Sequence, residues 1–323
     1  MNTVHHPFRV AIDPLRPPPG LERPVVAIGN FDGLHRGHAG VIVRALSLAR
    51  RLGGPCALLT FEPHPADFFA GKSVIFRLTP PEAKEAILDR MGLDGMIVLT
   101  FDAALAGLSA EDFVSTVLVQ RLAIGGVVAG YDFHFGAKRA GTPEFLKDAG
   151  ARHGFAVEIV EKITYDASGS LDAVSSTAIR EALQAGEVQR ARELLGHPFL
   201  IEGEVVGGAK RGRELGFPTA NIVPDPSCRL KHGIYAVTMN VDGVTYGGVA
   251  SFGRRPTFDH GAPLLEVYLF DFDGDLYGKM AEVAFVDFLR GEDKFGTAEA
   301  LVEQMRKDAA QAREMLTSGK PRQ

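Results

Sequence analysis

Val25-Val26-Ala27-Ile28-Gly29-Asn30-Phe31-Asp32-Gly33-Leu34-His35-Arg36-Gly37-His38 is the stretch that decides the first half of this chain. Its first four residues are an unbroken apolar run, and the residues after His38 are amphipathic, so it reads as the turn between a buried strand and a helix. Three glycines keep side chains away from a ligand and let backbone N–H groups approach it, while the new helix aims its positive dipole end at the same spot. That is the pattern of a phosphate site, and Gly29, Asp32 and Gly37 are assigned to it. His35 and His38, three apart, add donors suited to charge building up on a phosphorus centre, which points to nucleotidyl transfer. The alternative is that Gly-rich turns are common and loop histidines are often solvated surface. Against it, packing gives no reason to set three basic side chains, His35, Arg36 and His38, at the start of a helix.

Outward from this turn, strand and helix patterns alternate after an irregular segment through Pro17-Pro18-Pro19. Strands are expected at 25–29, 56–61, 96–101, 126–130 and 156–160, with helices at 38–52, about 81–91, from Ser109 to Leu122, and from Thr142-Pro143 to near Gly154. The helix from His38 carries Val41, Ile42, Ala45, Leu48, Ala49 and Leu52 on one face and closes on Gly53-Gly54. Such alternation implies an α/β domain with a parallel, doubly wound sheet, whose ligands sit beyond the carboxyl ends of the strands. The segments there are polar and aromatic: Thr60-Phe61-Glu62-Pro63-His64-Pro65, and Gly130-Tyr131-Asp132-Phe133-His134-Phe135-Gly136. They suit a planar ligand, although Phe133 and Phe135 could equally cap the core. At Ser175-Ser176-Thr177-Ala178-Ile179-Arg180 hydroxyls lead into another helix, either as simple N-caps or as a grip on polyphosphate aided by Arg180.

The chain has 323 residues and a net charge of −5, enough for two domains and with no Lys/Arg block to suggest a nucleic-acid or anionic-membrane partner. Cys56 and Cys228 are its only cysteines and belong to no metal-type cluster, so neither a disulfide framework nor a zinc site is indicated. With no apolar leader and no run of bilayer length, the expected compartment is the cytoplasm. Homo-oligomerisation is left open.

Beyond Gly186 the character changes, and the domains are drawn as 1–186 and 187–323. Strand-like segments at 199–206, 234–240, 244–251, 264–270 and 279–288, without intervening helices, imply an antiparallel barrel or sandwich. A helix over about Thr297 to Leu316 has an apolar face to lay on it. The loop from Gly207 through Lys210, Arg211 and Gly212 to Asn221 is neither a Walker A loop nor a GxGxxG fingerprint. It is either a solvated basic loop or a phosphate cradle in which Thr219 and Asn221 supply oxygens for Mg²⁺. Asp271, Asp273 and Asp275 echo a calcium loop but lack its distal Glu, so a hairpin turn is expected.

The motifs GNFDGLHRGH, TFEPHP, GYDFHFG and SSTAIR, followed by RGRELGFPTAN, GIYAV, GVASFGRRPTF, LEVYLFDFDGDLYG and FLRGEDKF, resemble the prokaryotic bifunctional riboflavin kinase/FAD synthetase family over nearly the whole chain. The resemblance implies a Rossmann-like nucleotidyltransferase domain, an FMN adenylyltransferase, followed by a riboflavin-kinase-type barrel with a C-terminal helix. It implies that ATP phosphorylates riboflavin to FMN and a second ATP converts FMN to FAD, both with Mg²⁺. On that pattern His35 and His38 act on the α-phosphate of ATP, and Ser176, Thr177 and Arg180 contact its phosphates. Gly207, Lys210, Arg211 and Gly212 cradle the kinase's ATP, and Thr219 and Asn221 bind its metal. Glu266 is the base for the 5′-hydroxyl of riboflavin, and His64, Asp132 and Arg290 are flavin contacts. Read without the resemblance, Glu266 is an outward-facing carboxylate alternating with Leu265 and Val267. His134 departs from the family's arginine, Tyr268 from its histidine, and Ser251-Phe252 from its Asn-Ile. The rivals are a chain with one degenerate domain, a non-catalytic flavin-binding regulator, and an adenylyltransferase for another mononucleotide; the kinase-like second half argues against the last.

Overall fold

The computed structural model describes residues 7–162, 164–165, 172–207, 216–254 and 263–318. The chain forms two compact units, Met1–Ile75 with Pro81–Val174, and Phe76–Pro80 with Ser175–Gln323.

The first unit is built on six parallel strands: β1 (Arg9–Ile12), β2 (Val25–Ile28), β3 (Cys56–Glu62), β4 (Gly95–Thr100), β5 (Gly126–Gly130) and β6 (Ala156–Val160). Their order across the sheet is β1-β4-β3-β2-β5-β6. The chain steps from β2 to β3 to β4 in one direction, then returns to lay β5 on the other side of β2. The winding therefore reverses at β2, whose carboxyl end runs into Gly29 to His38, and such a reversal opens a crevice for ligand. All four β2 residues are buried because both faces are covered. Val25 and Ala27 pack with α1 (Arg36–Leu52), while Val26 and Ile28 pack with Phe113, Val114, Val117 and Leu118 on the opposite side.

Three further helices are α2 (Pro65–Ala70), α3 (Pro81–Arg90) and α4 (Ala103–Gly107). Ser109 then caps α5 (Ala110–Asp112), with its hydroxyl accepting from the Asp112 N–H at 3.0 Å, and Phe113–Arg121 continues as a π-helix. Thr142 likewise caps α6 (Pro143–His153), accepting from the Phe145 N–H at 3.2 Å. Two short strands, β7 (Thr164–Tyr165) and β8 (Asp172–Ala173), pair antiparallel. Strand β1 is absent from the sequence reading, which treats that segment as irregular. It has only four residues, pairs along one edge and leaves Ile12 exposed, so it carries no burial pattern longer than two alternations.

The second unit opens with α7 (Ser176–Ala185) and α8 (Val188–Leu195), ended by Gly186 at φ +83° and Gly196 at φ +88°. Six antiparallel strands then close a barrel: β9 (Leu200–Val206), β10 (Ala220–Ile222), β11 (Gly233–Val241), β12 (Val244–Arg254), β13 (Pro263–Leu269) and β14 (Met280–Arg290), in the order β10-β13-β12-β11-β14-β9. Alternation sends Tyr235, Val237, Leu265, Val267 and Phe285 to one face, where each is at most 1% exposed. The opposite face, with Ala236, Phe270, Ile234, Val249 and Tyr268, packs against Ala312, Met315 and Leu316 of α9 (Ala298–Ser318). Asp242-Gly243 turns between β11 and β12 with both residues at positive φ, the type I′ geometry its sequence favours. The sequence reading missed β10, because three residues following a proline are too short to show a period.

Both cysteines are free, and burial pushes each thiol up to about 12. Against an ordinary value near 9, that leaves roughly a thousandfold less thiolate near pH 8. A thiol-titrating disulfide reagent at pH 8 should therefore detect almost no thiol in the folded protein and two equivalents in guanidinium. Rapid native reaction at either position would contradict the burial.

Candidate active sites

The turn after β2 is held in an unusual backbone conformation. Phe31, Gly33 and Leu34 lie at φ +49°, +94° and +43°. Only glycine adopts such values without strain, and each of the other two costs on the order of 1–3 kcal/mol. Their side chains are buried, at 1% and 4% exposure, in the cluster that contains Val41 and Ile42 of α1, and this packing keeps them there. Gly29 and Gly37 have steric roles within the protein: a Cβ at Gly29 would lie 3.2 Å from the Phe31 ring, and one at Gly37 would lie 3.0 Å from Cε1 of His35. These clearances stand beside the ligand role expected of the glycines. Two of them make room for residues of the turn itself. Asp32 is buried within it.

His35 is the N-cap of α1, its Nδ1 accepting from the His38 N–H at 3.2 Å. An imidazole that accepts at Nδ1 carries its proton at Nε2, so this bond assigns His35 the tautomer with an Nε2–H to donate. The His35 and His38 rings stack with centroids 3.6 Å apart and planes 13° apart, and Phe31 lies 4.9 Å from His38. Both imidazoles thus stand at the start of α1, beside the N–H groups and positive dipole end of its first turn. This is the grouping the sequence predicts.

The neighbouring strand ends are partly as expected. His64 is another imidazole N-cap, accepting at Nδ1 from the Ala66 N–H at 3.1 Å at the start of α2. Asp132 is exposed, and its carbonyl lies 2.9 Å from Nδ1 of His134. Phe135 is buried in the core with Phe133 stacked on it at 5.5 Å, so the core-cap alternative holds for this pair. Sequence reasoning missed Lys84. This lysine of α3 is 2% exposed, donates to the Asn30 carbonyl at 3.3 Å and lies 3.9 Å from Oε1 of Glu62. The Thr60 hydroxyl donates to the same carbonyl at 3.2 Å. The available signal was a lysine in register with Ile87, Leu88 and Met91 on the apolar face of a helix.

In the second unit, the N-cap of α7 is Ser175, whose hydroxyl accepts from the Ala178 N–H at 3.2 Å. Ser176 and Thr177 therefore occupy the first turn itself, and capping does not explain them. Arg180 donates through Nε to the Phe76 carbonyl at 2.8 Å, which fixes its guanidinium against the Phe76–Pro80 segment of the same unit.

The barrel aligns its candidate residues in one row. Asn221 of β10 faces Glu266 of β13, Glu266 faces Ser251 of β12, Ser251 faces Ile234 of β11, and Ile234 faces Arg290 of β14. Directly opposed residues share a face of the sheet, with Cβ atoms roughly 4.5–5.5 Å apart. Asn221 is 4% exposed and Glu266 is half-buried, on the face that also carries Tyr268. Thr219 is half-buried just before β10, after a turn at Gly216 with φ +83°. Phe217 of that turn packs 5.0 Å from the Tyr268 ring. Gly207 directly follows β9 and is exposed, whereas Lys210, Arg211 and Gly212 lie outside the described residues. Arg290 is bound to Asp308 of α9 at 2.8 and 3.0 Å and to Asp293 at 3.1 Å, partners that raise its already high pKa. It clamps α9 onto β14. Among the described residues no group of three or more His, Cys, Asp or Glu could hold a metal ion, Asp271, Asp273 and Asp275 included.

A parallel sheet with paired histidines at its switch point, followed by a closed barrel with an amide–carboxylate row on its outer wall, defines a two-domain nucleotide-dependent transferase. Comparison with known proteins makes the class specific. The FAD synthetase family model matches residues 18–178, and the riboflavin kinase family model matches 195–316. A bifunctional riboflavin kinase/FMN adenylyltransferase of Pseudomonas fluorescens is 40% identical over 90% of this chain and 92% of its own length. The Haemophilus influenzae protein of that name is also 40% identical, over 92% of this chain and 96% of its own. A solved Streptococcus pneumoniae chain described as a macrolide-efflux protein matches with a TM-score of 0.82 and 32% identity, over 94% of this chain and 98% of that one. No helix among the described residues is long and apolar enough to cross a membrane. The chain belongs to the bifunctional riboflavin kinase/FMN adenylyltransferase family, with the FAD synthetase domain N-terminal and the riboflavin kinase domain C-terminal.

Proposed function

We propose that the barrel transfers the γ-phosphoryl of ATP to the 5′-hydroxyl of riboflavin, giving FMN and ADP, and that the N-terminal domain joins FMN to the AMP part of a second ATP, giving FAD and pyrophosphate. The observation that carries the second step is the stacked His35–His38 pair at the N-terminus of α1. As the FMN phosphate attacks the α-phosphorus, negative charge grows on the α-phosphate oxygens. The Nε2–H of His35, the ring of His38 and the first-turn N–H groups are donors for that charge. Ser176, Thr177 and Arg180 are read as contacts to the ATP phosphates, with Gly29, Asp32 and Gly37 shaping the turn.

For the kinase step the row Asn221–Glu266 supports Glu266 as the base that takes the proton of the riboflavin hydroxyl. Thr219 and Asn221 are neutral oxygen donors, a set that fits Mg²⁺ held mainly by substrate phosphates. Bound there, the ion would neutralise phosphate charge. Gly207, Lys210, Arg211 and Gly212 are read as the cradle of that ATP. His64, Asp132 and Arg290 are read as flavin contacts, Arg290 through a guanidinium already oriented by Asp308. The functional division is drawn at Gly186, between the two matched spans. Two free thiols suit a reducing cytosol.

Pure protein supplied with riboflavin, ATP and Mg²⁺ should form FMN first and FAD after a lag, separated by chromatography. Chelation of the divalent ion should stop both. Absence of both products under full conditions would overturn the reading.

A further inference from the structure

We propose that Lys84 is a positioning residue for adenylyl transfer, acting through the main-chain carbonyl of Asn30. A lysine is rarely buried without a use, because its charge is costly away from water unless paired. Here a 2%-exposed lysine stands in register with Leu88, a residue of the buried core cluster, on the apolar face of α3. Its ammonium donates to Asn30 O at 3.3 Å and lies 3.9 Å from the Glu62 carboxylate at the end of β3. The Thr60 hydroxyl, itself 1% exposed, donates to the same carbonyl at 3.2 Å. Side chains from two elements thus converge on one peptide oxygen.

That oxygen belongs to the peptide that opens the left-handed segment Phe31, Gly33, Leu34. In a planar trans peptide the C=O and the following N–H point in opposite directions. Drawing the Asn30 carbonyl toward Lys84 and Thr60 therefore turns the Phe31 N–H the other way and sets the dihedral at which the turn begins. The same turn ends on His35, so its first peptide controls where the imidazole pair stands. The ammonium contacts Asn30 O and Glu62, within the protein. Its influence runs through the turn.

The test uses the full chain, whose riboflavin kinase activity monitors folding in the same sample. Lys84→Met keeps the length and apolar stem while removing the charge and the donor. With FMN supplied, its kcat for FAD formation should fall about 10- to 100-fold, with KM for ATP and FMN within about threefold and riboflavin phosphorylation within about twofold. Thr60→Val removes the second donor at constant shape and should cost about three- to tenfold in the same kcat. The double variant should depart from the product of the two single losses by more than about threefold, since both act on one carbonyl. A rise in KM for ATP at constant kcat would make Lys84 a direct ligand, equal loss of kinase activity would make it fold support, and a purely multiplicative double variant would uncouple it from Thr60. Each result overturns the proposal. If Lys84→Met does not fold, Thr60→Val alone decides: a kcat loss at constant KM sustains the proposal and an unchanged kcat ends it.

Discussion

Replacing His38 by Ala should lower the rate of FAD formation from FMN and ATP by about 100- to 1,000-fold, the usual cost of removing one donor aimed at developing charge, while riboflavin is still phosphorylated at close to the normal rate. The variant should accumulate FMN from riboflavin. Its fold should survive, because the bond that caps α1 uses the backbone N–H of residue 38, which alanine keeps, and alanine is a strong helix former. What disappears is the ring stacked 3.6 Å from His35 and resting near Phe31. The loss should fall on kcat with little change in KM for either substrate, as expected for an interaction realised in the transition state. Near-normal FAD formation, or an equal loss of both activities, would remove His38 from the assigned role.

Glu266→Gln should have the mirror-image effect. It keeps the size of the side chain in the row between Asn221 and Ser251 and removes the ability to accept a proton. FMN formation should slow by about 100- to 10,000-fold, the range assigned to a positioned general base, while FMN supplied from outside is still converted to FAD. Chromatography of the two product mixtures separates the cases: one variant stops after the first product and the other never makes it. If Glu266→Gln retains more than about a tenth of normal phosphorylation, the carboxylate orients the hydroxyl without deprotonating it.

What could be read in advance divides along physical lines. The parallel sheet was legible because its central strands are buried on both faces and appear as continuous apolar runs, and each helix between them carries a cap or a glycine stop, as at Ser109, Thr142 and Gly154. The histidine pair was legible because three residues along a helix start place both rings at the same end. Strands β1 and β10 were not, because three or four residues are too few to show a period. Lys84 was hidden for a different reason. Charge normally marks the solvent face of a helix, and only the fold reveals that this ammonium meets a carbonyl in the turn after β2. The outward direction of Glu266 was read correctly from its alternation with Leu265 and Val267. The sequence could not show that outward in a closed barrel means toward the face where α9 lies.

The closed barrel gives its chemistry something like a reading frame. Asn221 stands opposite Glu266 only because the ladder between β10 and β13 pairs Ala220 with Val267 and Ile222 with Leu265. Along a strand each step of one residue exchanges the two faces. A single inserted residue ahead of Asn221 would leave the composition almost untouched, yet it would swing the amide into the packed lumen and bring an apolar neighbour beside the carboxylate. β10 has only three residues, so a slip of one changes the whole of its pairing with β13. Substitutions around this site can be graded in strength, but insertions and deletions in β10 should act as all-or-none changes to phosphoryl transfer.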